Sequence, residues 1–230
     1  MKFKNIFRKR RLWRYIITAF GTIIFVSFAL VLPWRWFAPP TTSFIIQGQL
    51  HYKSQIHQRW VPLSKISRTI PIAVVAAEDQ MFPIHHGFDF KSISKSFEEN
   101  RRYRRGASTI SQQLAKNLYL WPSRSPIRKA LEVYFTVMIE FTWPKHRILE
   151  VYLNVVEFGP RVYGVDAASR LFFGKPPSRI TSEEAALLAA VLPNPKRMSV
   201  VHPSQYVLRR ASEIEAAVNS LGGPGYLYRM

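Results

Sequence analysis

The sequence predicts a mainly α-helical domain preceded by one transmembrane helix, and three features carry that expectation. Residues 15–34, YIITAFGTIIFVSFALVLPW, contain no charged side chain. From Pro71 onward, apolar positions recur at helical spacing between recognisable start and stop signals. Only one short run, SFIIQGQLHY over residues 43–52, leans towards strand.

The uncharged run comes first. At ~1.5 Å per residue it covers roughly the 30 Å of a bilayer's hydrocarbon core. Trp13, Trp34 and Trp36 lie at its two ends, where amphipathic indole rings sit at the lipid headgroups. Lys2, Lys4, Arg8, Lys9, Arg10, Arg11 and Arg14 precede the run, and such a basic tail stays cytoplasmic, which leaves everything after Arg35 outside. A cleavable signal peptide is the competing explanation, but this apolar run is longer than the usual one and no small-x-small cleavage site follows it. The expected layout is a basic cytoplasmic tail over residues 1–14, a membrane helix over 15–36, a linker and membrane-proximal segment over 37–66, and a folded domain over 67–230.

FAPPTT, residues 37–42, reads as a short stiff linker, and residues 43–52 as a small strand or hairpin near the membrane. Pro71, Pro126 and Pro144 each suit a first helical turn, and Ser125 is a candidate N-cap for the second of these. Thr109-Ile-Ser-Gln112 and Thr181-Ser-Glu-Glu184 both fit capping boxes. Residues 126–142 are apolar almost all round, which predicts a buried helix. PKHRILEVYLNVVEFG, from Pro144, reads as an ordinary amphipathic scaffold helix, and Gly222-Gly223 closes the last one.

Composition narrows the partners. The 230 residues carry a formal net charge of +19 and no cysteine, so disulfides and thiolate metal sites are excluded and an anionic partner is expected. Nucleic acid, an anionic membrane surface and a phosphorylated substrate all qualify. No nucleic-acid motif occurs, and the basic residues are not interleaved with stacking aromatics, which argues against the first.

Three stretches could carry chemistry. In AAEDQMFPIHHGFDF, residues 76–90, Glu78 and Asp79 fall at a helix C-terminus, facing the negative end of its dipole. That placement costs ~0.3 to 1 kcal/mol and raises a carboxyl pKa, as a general base working near neutral pH requires. A solvated acid pair at a helix end is the plainer alternative. His85 and His86 are adjacent and lack an HxxxH spacing, so no metal site is expected there. In RRYRRGASTISQQLAKNLYL, residues 101–120, four arginines lead into a helix that sets Thr109, Gln113 and Lys116 on one face and Ile110, Leu114 and Leu118 on another. Free N–H groups beside cations suit a phosphate; a capped amphipathic helix behind a solvated basic loop is equally compatible. In residues 126–142, Arg128, Glu132, Thr136 and Glu140 form one stripe that carries a carboxylate inward, either as a site or as a buried Arg128–Glu132 pair. Glycosyl chemistry uses carboxylate pairs of this kind, and a pyrophosphate leaving group would need the cations.

These residues resemble a known family, the peptidoglycan glycosyltransferases, and by length the monofunctional biosynthetic kind. Glu78-Asp79, Phe82, His85, Gly87 and Asp89 match its first motif, and GASTISQQLAKN the second. Arg128-Lys129 with Glu132 matches the third, RILEVYLNVVEFG the fourth, and AASRLFFGK with SEEAALLAAVLPNP the fifth, so that residues 67–199 are covered in order. The resemblance implies a lysozyme-like, two-lobed, mainly helical glycosyltransferase domain with its lower lobe near the membrane. It implies polymerisation of glycan strands from lipid II, with inversion at the sugar carbon and formation of a β-1,4 bond. Glu78 would be the base that deprotonates the acceptor's 4-hydroxyl, and Glu132 would assist at the pyrophosphate. Asp79, Phe82, His85, Ser108, Thr109, Gln113, Lys116, Asn117 and Arg128 would bind substrate, with Lys116 and Arg128 balancing phosphate charge. No cofactor is called for apart from a candidate divalent cation, magnesium, at the pyrophosphate. The implied place is the bacterial inner membrane with the catalytic domain periplasmic, among other cell-wall synthesis or division proteins. The segment after the fifth motif's helix reads AAVLPNPKR, where bifunctional relatives carry a Lys, which leaves Lys196 as the candidate substitute. Two rival functions are a lysozyme-like lytic transglycosylase or muramidase and a membrane-tethered basic binding module.

Overall fold

The computed structural model describes residues 2–52, 55–90, 108–123 and 125–230, with side chains from residue 11 on except those of residues 51 and 52. The arginines at 101, 102, 104 and 105 lie outside the described residues. The chain forms two compact units, Met1–Phe37 and Ala38–Met230.

The first unit is one long helix, α1, over Lys2–Val31, followed by a 3-10 turn over Leu32–Arg35. Arg11–Arg35 is long and apolar enough to cross a membrane. Thr18, Thr22 and Ser27 turn their hydroxyls back onto the carbonyls of Arg14, Thr18 and Ile23 at 2.9, 2.9 and 2.8 Å. The helix therefore satisfies its own hydroxyl groups, as a lipid surrounding demands.

The second unit is built from eight helices among the described residues, with one small sheet. It begins with a correction. SFIIQGQLHY is not a strand or hairpin but helix α2, Ser43–Tyr52. Thr42, Ile45 and Gly48 are its buried positions, three residues apart, and the Thr42 hydroxyl accepts from the Ile45 N–H at 3.1 Å as an N-cap. Ser43 and Gln47 both donate to the Leu120 carbonyl, at 2.7 and 3.2 Å, so tertiary docking overrides the strand propensity of the run.

Helix α3 spans Thr69–Glu78 and starts two residues before Pro71; its whole run of residues 70–76 is buried. Helix α4, Ile110–Tyr119, begins in the expected capping box: Thr109 accepts from the Gln112 N–H while Gln112 accepts from the Thr109 N–H. Ser125 caps α5, Pro126–Thr142, and Pro144 precedes α6, Lys145–Val155. Helix α6 ends earlier than the amphipathic pattern suggests, because Glu157–Gly159 and Val162–Tyr163 turn into a hairpin, β2 and β3, around Arg161 at φ 67°. His57–Gln58, β1, adds parallel to β3, giving the order β1-β3-β2. Asn154 stitches this edge by accepting from the Val61 N–H and donating to the Val61 carbonyl, both at 2.8 Å. Gly164, at φ 81°, brings its Cα so close that an added Cβ would lie 2.5 Å from the Asn154 carbonyl oxygen.

Helices α7, Val165–Phe173, and α8, Ser182–Val191, follow, the latter in the expected Thr181–Glu184 capping box. Helix α9, Gln205–Ser220, ends at Gly222 in the left-handed region, and a 3-10 helix over Gly223–Arg229 closes the chain. Helices α3, α8 and α9 pack together, with the closing 3-10 helix on α3; α4 packs against α2, α5 and α6. The chain is thus mainly helical, as expected.

Helix α5 corrects a second expectation. It is not buried all round: Ile127, Val133, Val137 and Phe141 are exposed, Phe141 at 80% and Ile127 at 72%. Its opposite face carries the buried residues Glu132, Thr136, Met138, Ile139 and Thr142. The helix reads as apolar almost all round because its exposed face is apolar, while the face that meets protein also carries Glu132, Thr136 and Thr142.

Candidate active site

Glu78 is the last residue of α3, and the buried run before it draws the carboxylate inward with the helix. Its side chain is only 12% exposed. The carboxylate nevertheless has a partner on each side, one close and one looser. Oε2 accepts from the Gln113 amide at 2.7 Å, and Oε1 faces Nη2 of Arg210 at 3.5 Å. The Tyr152 hydroxyl donates to the Gln113 carbonyl oxygen at 2.8 Å, which fixes that amide with its N–H₂ towards Glu78. Burial raises the Glu78 pKa above its ordinary value, against the opposing pull of Gln113, Arg210 and Lys116.

Asp79, the C-cap of α3, is also buried and organises the turn that follows. Its oxygens lie 2.9 and 3.0 Å from Nε2 of His85, and Oδ2 accepts from the Ile110 N–H at 3.0 Å. The Gly87 N–H donates to Nδ1 of His85 at 3.0 Å, so the ring proton sits on Nε2 and is given to Asp79. The carboxylate thus reads the start of α4 through a backbone N–H, where a negative charge complements the helix dipole. Gly87 adopts φ 86°, and an added Cβ would lie 3.0 Å from both Glu140 and Thr136 of α5. Its carbonyl accepts from the Thr109 hydroxyl at 2.7 Å. Phe82 is wholly buried, edge-on to His85 and beneath the Lys145 ammonium at 4.5 Å. Glu140 accepts from both Ser111 and Lys145, tying α5 to the α4 start.

A second acidic centre lies on α5. Glu132 is buried, with Arg128 Nη1 at 2.5 Å from Oε2 and the Lys129 ammonium on Oε1. Lys116 belongs to both centres: Glu132, Arg128, Glu78 and Lys129 all act on its charge, and burial lowers its pKa. Its ammonium stands 5.3 Å from the Phe44 ring of α2. The structure therefore gathers Glu78, Asp79, His85, Thr109 and Gln113 around the start of α4, while Lys116, in the last turn of that helix, feels the charges of both Glu78 and the Arg128–Glu132 pair. Ser108 is half-buried immediately before the capping Thr109, and Asn117 is buried next to Lys116 on α4. Lys196 sits elsewhere, acting on Glu157 of β2.

Both oxygens of Glu132 are taken by cations, and among the described residues no three metal-ligating side chains converge. Three participants were not among the predicted site residues: Arg210 on α9 and Phe44 on a helix that reads as a strand, both outside the motifs, and Tyr152, inside the fourth motif on a helix that reads as scaffold.

A buried carboxylate of raised proton affinity, coupled through a lysine to a second acid paired with cations, on a lysozyme-like helical frame, defines a glycosyl-transferring enzyme. The family model described as "Transglycosylase" matches residues 46–219. The biosynthetic peptidoglycan transglycosylase of Xanthomonas campestris pv. campestris (strain B100) is 46% identical over 228 residues, 96% of this chain and 93% of the relative. Those of Pasteurella multocida (strain Pm70) and Xylella fastidiosa (strain 9a5c) are 44% and 41% identical, covering 93% and 97% of this chain and 89% and 95% of the relatives. The chain belongs to the transglycosylase family, the peptidoglycan glycosyltransferases that its motifs resemble.

Proposed function

We propose that this enzyme polymerises peptidoglycan glycan strands at the membrane, transferring the growing lipid-pyrophosphate-linked chain to the 4-hydroxyl of lipid II. Glu78 takes the hydroxyl proton as the acceptor oxygen attacks C1 of the donor sugar. The C1–oxygen bond to the lipid pyrophosphate breaks on the opposite side, its electron pair leaves with the pyrophosphate, and the anomeric centre inverts from α to β. Lys116 and Arg128 balance the charge of the departing diphosphate, and Glu132 holds Arg128 and Lys129 in place for that task. Asp79, His85, Thr109 and Gly87 keep the start of α4 fixed beside Glu78, while Gln113, Ser108 and Asn117 line the approach.

One observation carries this assignment: Glu78 is largely buried and its proton affinity raised, while Gln113 orients one of its oxygens and Arg210 faces the other. A raised proton affinity is the direction that a carboxylate base requires. The apolar α1 supports a single-pass anchor with residues 1–14 cytoplasmic, residues 15–36 in the membrane and the catalytic unit periplasmic. The exposed apolar face of α5 supports that unit's resting against lipid.

Purified protein in detergent with labelled lipid II tests the proposal. Long glycan product is expected, with a loss of about three orders of magnitude or more on Glu78→Gln, the scale on which an essential base contributes. Cleavage of preformed strands with lipid II left untouched would identify a lytic enzyme instead, and full retention of activity by Glu78→Gln a binding module.

A further inference from the structure

We infer that Arg210 is a positioning residue for the base: from α9, beyond the last sequence motif, its guanidinium faces the outer oxygen of Glu78 and keeps that carboxylate charged inside the protein. The inference rests on Glu78 acting as the base of the proposed reaction.

The two oxygens of Glu78 are held differently. Oε2 has a short hydrogen bond from Gln113, a neutral group locked in turn by Tyr152. Oε1 has Arg210 at 3.5 Å, close enough for charge attraction and too long for a tight hydrogen bond. Such a contact leaves the oxygen open to an incoming hydroxyl while supplying the opposite charge that burial requires.

The charged and titratable groups that face Glu78 come from four helices. Asp79, at the end of α3 itself, disfavours its ionisation; Lys116 of α4 and Arg210 of α9 favour it, Arg210 more strongly. The Tyr152 hydroxyl of α6 stays neutral, its ionisation opposed by burial and by Glu78. Lys116 is divided between Glu78 and Glu132, and its own charge is weakened by burial. Arg210 is thus the main counter-charge of the base.

Its own environment argues against a merely structural role. Nε of Arg210 is buried and makes no hydrogen bond among the described residues. The side chain is half-buried, and a buried N–H left without a partner costs stability unless the charge beside it is used. Its neighbour Arg209 lies exposed, over the Tyr206 ring at 5.7 Å, and serves as an internal control.

The experiment is the pH dependence of kcat/KM for lipid II polymerisation by the full chain in detergent, between about pH 5 and 9, where a carboxylate base of raised pKa titrates. Wild type, Arg210→Met, Arg210→Lys, Arg209→Met and Glu78→Gln are compared, with thermal melts showing that each is folded. Arg210→Met is expected to move the acidic limb to higher pH, lowering activity about tenfold on that limb, the effect of removing one close opposite charge. Its activity recovers on the alkaline side. Arg210→Lys restores the limb for the most part, and Arg209→Met leaves it in place. If Arg210→Met lowers activity equally at every pH, or leaves it unchanged, while Glu78→Gln is inactive, Arg210 does not tune the base and the inference is overturned. If Glu78→Gln keeps wild-type turnover, the assignment of the base fails first and the role of Arg210 falls with it.

Discussion

At the scale of single residues, Glu78 sets stability against chemistry. Burial raises its folded-state pKa above the ordinary 4.5, even after the help of Gln113 and Arg210. Between the unfolded and folded values the folded protein binds more protons than the unfolded chain, so this group makes stability fall as pH rises through that window. Glu78→Gln keeps an oxygen for Gln113 and removes the titration. The two proteins should therefore melt at similar temperatures near pH 4, and the wild type should fall below the variant as pH approaches neutrality. Parallel melting curves across about pH 4 to 8 would show that burial is not what perturbs this carboxyl. Together with the activity loss, a wild type that melts below the variant towards neutral pH would mark Glu78 as a residue retained at the expense of stability, which no packing argument explains. Asp79 shows the contrast: more deeply buried, it spends its oxygens on His85 and the Ile110 N–H.

At the scale of elements, α5 turns one face to protein and leaves an apolar one exposed among the described residues. Ile127, Val133, Val137 and Phe141 form an uncovered stripe along the helix. If that stripe rests on lipid, Val137→Asp together with Phe141→Asp should slow polymerisation in lipid vesicles by about tenfold or more, given the cost of a charge in apolar surroundings. In detergent the same variant should work near the wild-type rate, because micelles adapt. Equal rates in both media would remove the stripe from any membrane role. The element scale is also where the sequence was most and least legible. Caps at Thr109, Ser125 and Thr181 are read from four consecutive residues, and the structure has each of them. Local chemistry fixes them, so no fold need be known. The identity of α2 was hidden because its branched residues favour strand in isolation and only the docking of Ser43 and Gln47 on Leu120 decides otherwise. The three-stranded sheet pairs residues about a hundred positions apart, His57 with Val162, and no local pattern announces such pairs. Within the site, the residues inside motifs were visible, whereas Arg210 was not: it reaches Glu78 only through the packing of α9 on α3.

At the scale of the whole molecule, the question is what a membrane helix adds to a folded unit that contains every candidate site residue. Ala38–Met230 is compact by itself, and the residues that hold Glu78 all lie within it. On the proposed function the chemistry is expected not to need α1, whereas the encounter with a lipid-linked substrate is expected to. A lipid-linked substrate is confined to the bilayer, and confining the enzyme to the same surface turns a search through solution into one through a thin layer, an advantage of about a hundredfold or more in effective concentration. On the proposed topology the basic tail adds to this by fixing orientation, its charges staying on the cytoplasmic side. A protein lacking residues 1–37 is thus expected to remain folded and to polymerise lipid II in detergent, where enzyme and substrate mix freely. In vesicles containing dilute lipid II it should fall about a hundredfold behind the full chain, and raising salt should widen the gap by screening what remains of its attraction to anionic lipid. Equal vesicle rates for the two proteins would show that the catalytic unit finds the membrane unaided. A matching loss in detergent would instead make α1 a participant in the fold. The ratio of the vesicle rate to the detergent rate, compared between the two proteins, decides among these outcomes.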